Sequence, residues 1–184
     1  MLSEGKANIL LVGDQPNNWL ALSTILESLD QNLVRAHSGE EALRCLLQHD
    51  FAAILLDVQM PGVDGFETAA LIRQRAALQH TPIIFISAVY LEESYVLRGY
   101  SLGAVDYLFK PIVPEILISK VSVFISLFQK TQELKHQVIQ LAATNQKLQQ
   151  EITKRQQAEK TWQRANEELV HTGASSPTIM SREH

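Results

Sequence analysis

From residue 8 to residue 109 a short apolar run gives way, again and again, to a stretch whose apolar residues recur at helical spacing. Few architectures accept that alternation. Asn8-Ile9-Leu10-Leu11-Val12 is too short for a helix and reads as a buried strand. Asn17 to Asp30 carries Leu20, Leu22, Ile25, Leu26 and Leu29 at intervals that suit a helix. Leu33 to Ala36 is a second, weaker strand. Ser38-Gly39-Glu40-Glu41 has the form of a capping box, in which Ser38 accepts from the Glu41 N–H and Glu41 reaches back; its helix extends to about His49. Phe51-Ala52-Ala53-Ile54-Leu55-Leu56 is the most apolar candidate and therefore central. Asp64 and Glu67 repeat the capping logic for a helix to about Ala76, and Pro82 to Ile86 is the fourth strand. A helix over Leu91–Leu102 is stopped by Gly103. Val105 to Phe109 is the fifth strand, and Pro114 suits the first turn of another helix. Strands alternating with helices need crossover connections, which give a parallel sheet covered on both faces. The expected class is α/β, a doubly wound five-stranded parallel sheet. Sheets of this kind bind ligands beyond the carboxyl ends of their strands.

Charge and composition remove several function classes. Residues 1–112 hold 7 Lys+Arg against 13 Asp+Glu, net −6; residues 113–184 hold 9 against 7, net +2. An acidic domain followed by a diffuse weak positive charge does not make a nucleic-acid surface. Cys45 is the single cysteine, so neither an intramolecular disulfide nor a cysteine-based zinc cluster can form. Its setting, Ala42-Leu43-Arg44-Cys45-Leu46-Leu47, is that of a small core residue on a helix. Met1-Leu2-Ser3-Glu4-Gly5-Lys6 lacks a signal-peptide pattern, and no apolar stretch reaches the length of a membrane span. The expectation is a cytoplasmic protein with no membrane and no nucleic-acid partner.

The strand ends carry the chemistry. Gly13-Asp14 follows the first strand, Asp57 ends the third, Ser87-Ala88 follows the fourth and Lys110-Pro111 follows the fifth. Taken singly, an Asp after a strand is ordinarily a cap or turn residue, and a terminal Lys a solvated charge. Together they bring two carboxylates, a hydroxyl and an amine to one rim. Adjacent carboxylates repel unless a cation joins them, and a hard divalent ion such as Mg²⁺ does so with oxygen ligands. A carboxylate can also act as a nucleophile and form an acyl phosphate. The metal, Lys110 and Ser87 would then offset the charge of a phosphoryl group on Asp57.

Four segments in this order, Ile9-Leu10-Leu11-Val12-Gly13-Asp14, Leu55-Leu56-Asp57-Val58-Gln59-Met60-Pro61-Gly62, Phe85-Ile86-Ser87-Ala88 and Tyr107-Leu108-Phe109-Lys110-Pro111, resemble the receiver domains of bacterial response regulators in two-component systems. The resemblance implies a flavodoxin-like sheet of order 2-1-3-4-5, receivers being standard examples of it. It implies that Asp57 takes a phosphoryl group from a histidine kinase or phosphotransfer protein. It further implies that Asp14, Asp57 and the backbone carbonyl of Gln59 bind Mg²⁺, that Lys110 contacts the phosphoryl group, and that Ser87 and Tyr107 act as the switch pair. The face made by the 91–102 helix, the fifth strand and the next helix would then change shape. One position departs from the family. Two adjacent acids usually follow the first strand, and here the first is Gly13. Losing that acid should weaken Mg²⁺ binding and slow phosphorylation without removing the nucleophile. Gly13 could also serve a tight backbone turn. Trp19 is expected to be partly exposed and to pack rather than bind, Met60-Pro61-Gly62 to shape a loop, and His37, His49 and His80 show no metal-binding spacing.

The last helix should not stop where a receiver's would. Ile116, Leu117, Val121, Phe124, Ile125 and Phe128 form a stripe for the sheet or a partner, and from Gln129 to Val170 there is neither Pro nor Gly. Leu134, Val138, Leu141, Asn145, Leu148 and Ile152 alternate steps of four and three, as a coiled-coil seam requires. Val138, Asn145 and Ile152 take a positions and Leu134, Leu141 and Leu148 take d, the pattern of a parallel dimer in which Asn145 fixes register. A helix from 114 to 170 would reach roughly 85 Å. The alternative is one amphipathic helix folded back on its own domain. Glu151 to Leu169, with Arg155, Ala158, Glu159 and Glu168, resembles the signalling helices that join receivers to sensor, kinase or cyclase modules. The organisation expected is a receiver over 7–128, a coiled-coil signalling helix over 129–170 and a disordered tail over 171–184.

Three functions remain open: a phosphorylation switch whose homodimeric coiled coil transmits the change, a degenerate receiver serving as a constitutive dimerisation scaffold because of Gly13, and a relay that hands its phosphoryl group onward. No helix-turn-helix follows, which disfavours a transcription factor, and no separate enzyme activity is expected. Either the helix is the output or the chain is part of a longer protein.

Overall fold

The computed structural model describes residues 5–88 and 106–173. The helix expected over Leu91–Leu102, its Gly103 stop, Val105 and the tail from 174 onward lie outside the described residues.

Five strands, β1 (Asn8–Val12), β2 (Asn32–Ala36), β3 (Ala53–Asp57), β4 (Ile83–Ser87) and β5 (Asp106–Phe109), form one parallel sheet of order β2-β1-β3-β4-β5. Every residue of β3 and β4 is buried, which fits their place inside the sheet and their lack of polar alternation. Three helices, α1 (Pro16–Leu26), α2 (Gly39–Gln48) and α3 (Gly65–Arg73), alternate with the first four strands, and α4 (Pro114–Gly173) follows β5. Side chains that alternate along each strand divide between two cores. Ile9, Leu11, Leu55, Ile84 and Leu108 face one way, packing with Leu22 and Leu26 of α1 and with Leu117, Val121 and Ile125 of α4. Leu10, Ile54, Leu56 and Phe85 face the other, with Leu46 of α2 and Phe66 and Ile72 of α3.

Local chemistry sets the helix ends. Ser38 accepts from the Glu41 N–H at 3.2 Å, but Glu41 reaches back to the His37 N–H at 2.7 Å, one residue before the cap. Asp64 accepts from the Glu67 N–H at 2.8 Å. Two helices stop earlier than their apolar spacing predicts. α1 gives way to a 3-10 turn, Glu27–Leu29, and Asp30 turns left-handed at φ 51°. α3 ends at Arg73, whose guanidinium donates to the Leu78 carbonyl at 3.2 Å and the Thr81 carbonyl at 2.9 Å, drawing the chain into turns toward β4.

The chain divides into two compact units, Met1–Gln132 and Glu133–His184. Within the first, Leu117, Val121 and Ile125 of α4 are buried and Phe124 and Phe128 partly so, whereas Ile116 is 46% exposed and leaves the expected stripe. From Glu133 to Gly173 every residue is exposed, and helix continues through 171–173, where a tail was expected.

Candidate functional site

Parallel strands that all end at one edge bring their following residues together. Asp57 closes β3 at the register of Ile86, Ser87 pairs with Phe109, and the Lys110 N–H donates to the Ser87 carbonyl at 2.8 Å. Asp57 is 4% exposed. A carboxylate so buried is costly unless donors meet it, and three do. Lys110 Nζ lies 2.6 Å from Oδ2, Asn18 Nδ2 donates to Oδ2 at 3.3 Å, and the Gln59 N–H donates to Oδ1 at 3.1 Å. The chain turns tightly after Asp57: the Gly65 N–H donates to the Val58 carbonyl at 3.1 Å, and a Cβ on Gly65 would strike the Asp57 carbonyl oxygen. α3 therefore begins with glycine.

Asp14 carries an unsatisfied oxygen among the described residues. Its Oδ1 is buried and has no hydrogen-bond partner. A lone buried acceptor at the end of β1, the strand that pairs with β3 and its terminal Asp57, fits a hard cation, which would satisfy both carboxylates. Among the described residues no group of three or more His, Cys, Asp or Glu side chains could hold a metal, so a cation at these two carboxylates would need further oxygen ligands of another kind, such as the Gln59 carbonyl. Ser87 is fully buried at the end of β4. Tyr107 is buried as well, its ring 5.3 Å from Phe85 and 6.4 Å from Phe109.

Two contributors were not foreseen, Asn18 and Trp19, both in the first turn of α1. Pro16 opens that turn beyond β1, which aims it at the rim. The signal available in the sequence was position alone: an amide and an indole a few residues past Asp14. Trp19 is 5% exposed, a correction to the partial exposure expected of it. Gly13 also differs from one expectation, since its φ lies outside the left-handed region and its backbone does not require glycine. What it provides is room. A cavity of about 350 Å³ opens beside the rim, lined among others by Trp19, Leu22, Ile25, Asp57, Lys110 and Ile112.

The residues of the expected seam belong to the second unit. Leu134, Val138, Leu141, Leu148 and Ile152 are 53–65% exposed, and Asn145 is exposed with them. Among the described residues no helix is long and apolar enough to cross a membrane.

Sheet order and rim define a flavodoxin-like fold with an acid–lysine pair at its carboxyl edge. The family described as response regulator receiver domain matches residues 9–122, and the chain belongs to it. A probable cyclic di-GMP phosphodiesterase of Vibrio cholerae is 36% identical over 116 residues, 63% of this chain and 26% of that protein. The transcriptional regulatory protein SrrA of Staphylococcus aureus is 32% identical over 123 residues, 67% of this chain and 49% of that protein. The chain thus spans about a quarter to half the length of these relatives. Among solved structures, the chemotaxis protein CheY4 of Vibrio cholerae superimposes with TM-score 0.60 at 28% identity, over 65% of this chain and 99% of that one. A putative response regulator from Chloroflexus aurantiacus gives 0.61 at 30% identity, over 66% and 98%. Receiver domains generally bind Mg²⁺ and interact with histidine kinases or phosphotransfer proteins.

Proposed function

We propose that this protein accepts a phosphoryl group on Asp57 from a histidine kinase or phosphotransfer protein and conveys the change through α4, paired with α4 of a second copy. The observation that carries the reading is the Asp57 carboxylate, buried and held 2.6 Å from Lys110, together with a second buried carboxylate oxygen, Asp14 Oδ1 at the end of β1, that has no partner among the described residues. In the transfer an Asp57 oxygen forms a new P–O bond as the donor's P–N bond breaks, and the electron pair leaves with the imidazole. Lys110 and Asn18 fix the carboxylate, and Lys110 neutralises it on one side. The Gln59 N–H is placed to stabilise the acyl oxygen. Asp14, Asp57 and the Gln59 carbonyl would hold Mg²⁺, which supplies positive charge across the transferring group. Ser87 and Tyr107 lie at the ends of neighbouring strands, where a response to the new charge would start. In α4 the seam from Leu134 to Ile152 offers unpaired apolar side chains to a second copy in parallel.

A second reading, a constitutive scaffold, gains support from Gly13, where the family's first acid is missing. Intact mass after incubation with Mg²⁺ and a small-molecule phosphodonor separates the two. One phosphoryl group on the wild type, absent from Asp57→Asn, is expected. An unmodified wild type would overturn the phosphoacceptor reading in favour of the scaffold.

A further inference from the structure

The space that Gly13 leaves is taken by an indole edge. A Cβ built on Gly13 would stand 3.2 Å from Trp19 Nε1, 3.6 Å from Asp57 Cβ and 3.9 Å from Asp57 Oδ2. The indole nitrogen and the Asp57 carboxylate therefore flank one small gap. Nε1 is buried and has no hydrogen-bond partner. His37 does not relieve it: that ring meets the indole edge-on, with centroids 4.1 Å apart. An indole N–H donates and never accepts. A buried donor left unpaired is unfavourable by enough that native proteins rarely keep one without a use.

We infer that Trp19 is a phosphoryl-contacting residue, its Nε1–H donating to an oxygen of the group carried by Asp57. The inference rests on the phosphoacceptor reading and extends it. An acid at position 13 would add an acceptor, favouring a hydrated cation; glycine with an indole behind it removes that acceptor and adds a donor, favouring an anionic oxygen. Lys110 and Asn18 already serve Oδ2 of the unmodified carboxylate. Trp19 is the neighbouring donor that stays unused until new oxygens arrive. Gly13 and Trp19 act as a pair, so Gly13→Asp alone is crowded against Nε1.

The full chain carries its own reference for the test, because its second tryptophan, Trp162, is 67% exposed on α4. In protein labelled with ¹⁵N at the indoles, beryllofluoride with Mg²⁺ serves as the phosphoryl mimic. The Trp19 indole proton is expected to move downfield and to exchange more slowly with water, while that of the exposed Trp162 keeps its rapid exchange. Trp19→Phe keeps a ring in the core and removes the donor. Its apparent affinity for beryllofluoride, followed by ¹⁹F NMR, should fall roughly ten- to a hundredfold, the effect of one hydrogen bond to a charged group. If wild type forms the Asp57 adduct and the Trp19 indole resonance does not move, this inference is overturned and the phosphoacceptor reading stands. If wild type takes neither the phosphoryl group nor the mimic, both are overturned together.

Discussion

Lys110, Asn18 and the Gln59 N–H converge on the Asp57 carboxylate, which is only 4% exposed. Lys110→Ala removes the only cation among those three and leaves a buried charge short of a partner. We expect it to lower stability by about 1–3 kcal/mol and to slow formation of the aspartyl phosphate; urea unfolding and intact-mass time courses measure the two effects. Asp57→Asn keeps the shape, loses the nucleophile and should take no phosphoryl group. Gly65→Ala tests the turn behind Asp57. The added methyl meets backbone, including Val58 Cα at 2.8 Å, which cannot rotate aside. A loss of about 1–3 kcal/mol in urea unfolding is expected, and an unchanged midpoint would show that α3 can shift to make room. Away from the rim, Cys45 has a thiol displaced from its ordinary range. Burial first, then the Glu41 carboxylate, pushes its thiol up. A thiol that holds its proton more tightly when folded adds stability that is fully present below the unfolded pKa and is lost as pH rises through the folded one. At mildly alkaline pH the folded protein should therefore alkylate at Cys45 more slowly than the urea-unfolded chain, and equal rates would refute the shift.

At the scale of elements, α4 has two kinds of apolar residue. Leu117 and Val121 are completely buried against the sheet. Leu117→Ala should destabilise the receiver unit by about 2–5 kcal/mol, the range for a core leucine, as read from urea unfolding. Leu141 and Leu148, 62% and 54% exposed, should leave unfolding of that unit unchanged when mutated to Asp and should instead abolish dimerisation in light scattering. The strands were legible in the sequence because burial on both faces leaves apolar runs that little else produces, as in Ile54-Leu55-Leu56 and Ile83-Ile84-Phe85. Caps at Ser38 and Asp64 were legible because the interaction is local. The ends of α1 and α3 were not. Arg73 stops α3 through carbonyls several residues on, and nothing in helical spacing records that. Asp14, Asp57, Ser87 and Lys110 could be placed at one rim from strand ends alone. Asn18 and Trp19 reach that rim through the way α1 packs on the sheet, which a single sequence does not encode at any fixed interval.

For the whole molecule the question is which unit would carry the proposed dimer. The unit that ends at Gln132 contains both faces of its sheet and the complete rim from Asp14 to Lys110. Everything from Glu133 to Gly173 is exposed, so removing it takes no buried side chain from that core. A chain cut after Gln132 should therefore unfold with the midpoint of the full protein and accept a phosphoryl group at a similar rate, yet run as a monomer where the full chain runs as a dimer. The contrast is informative because α4 also exposes Ile116, Val123 and Leu127 before the cut, at 46%, 62% and 59%. Val121, by comparison, is fully buried against its own sheet and cannot serve as an interface. A truncated chain that still dimerises would move the interface onto those earlier positions, on the part of α4 that Lys120 ties to Asp106 of β5. A truncated chain that is monomeric, with phosphorylation intact, would leave the seam from Leu134 to Ile152 as the place where two copies meet. The phosphoryl group would then have to act through the continuous turns of α4, so modification of Asp57 should change the dimer's dissociation constant in the full chain and leave the truncated one a monomer.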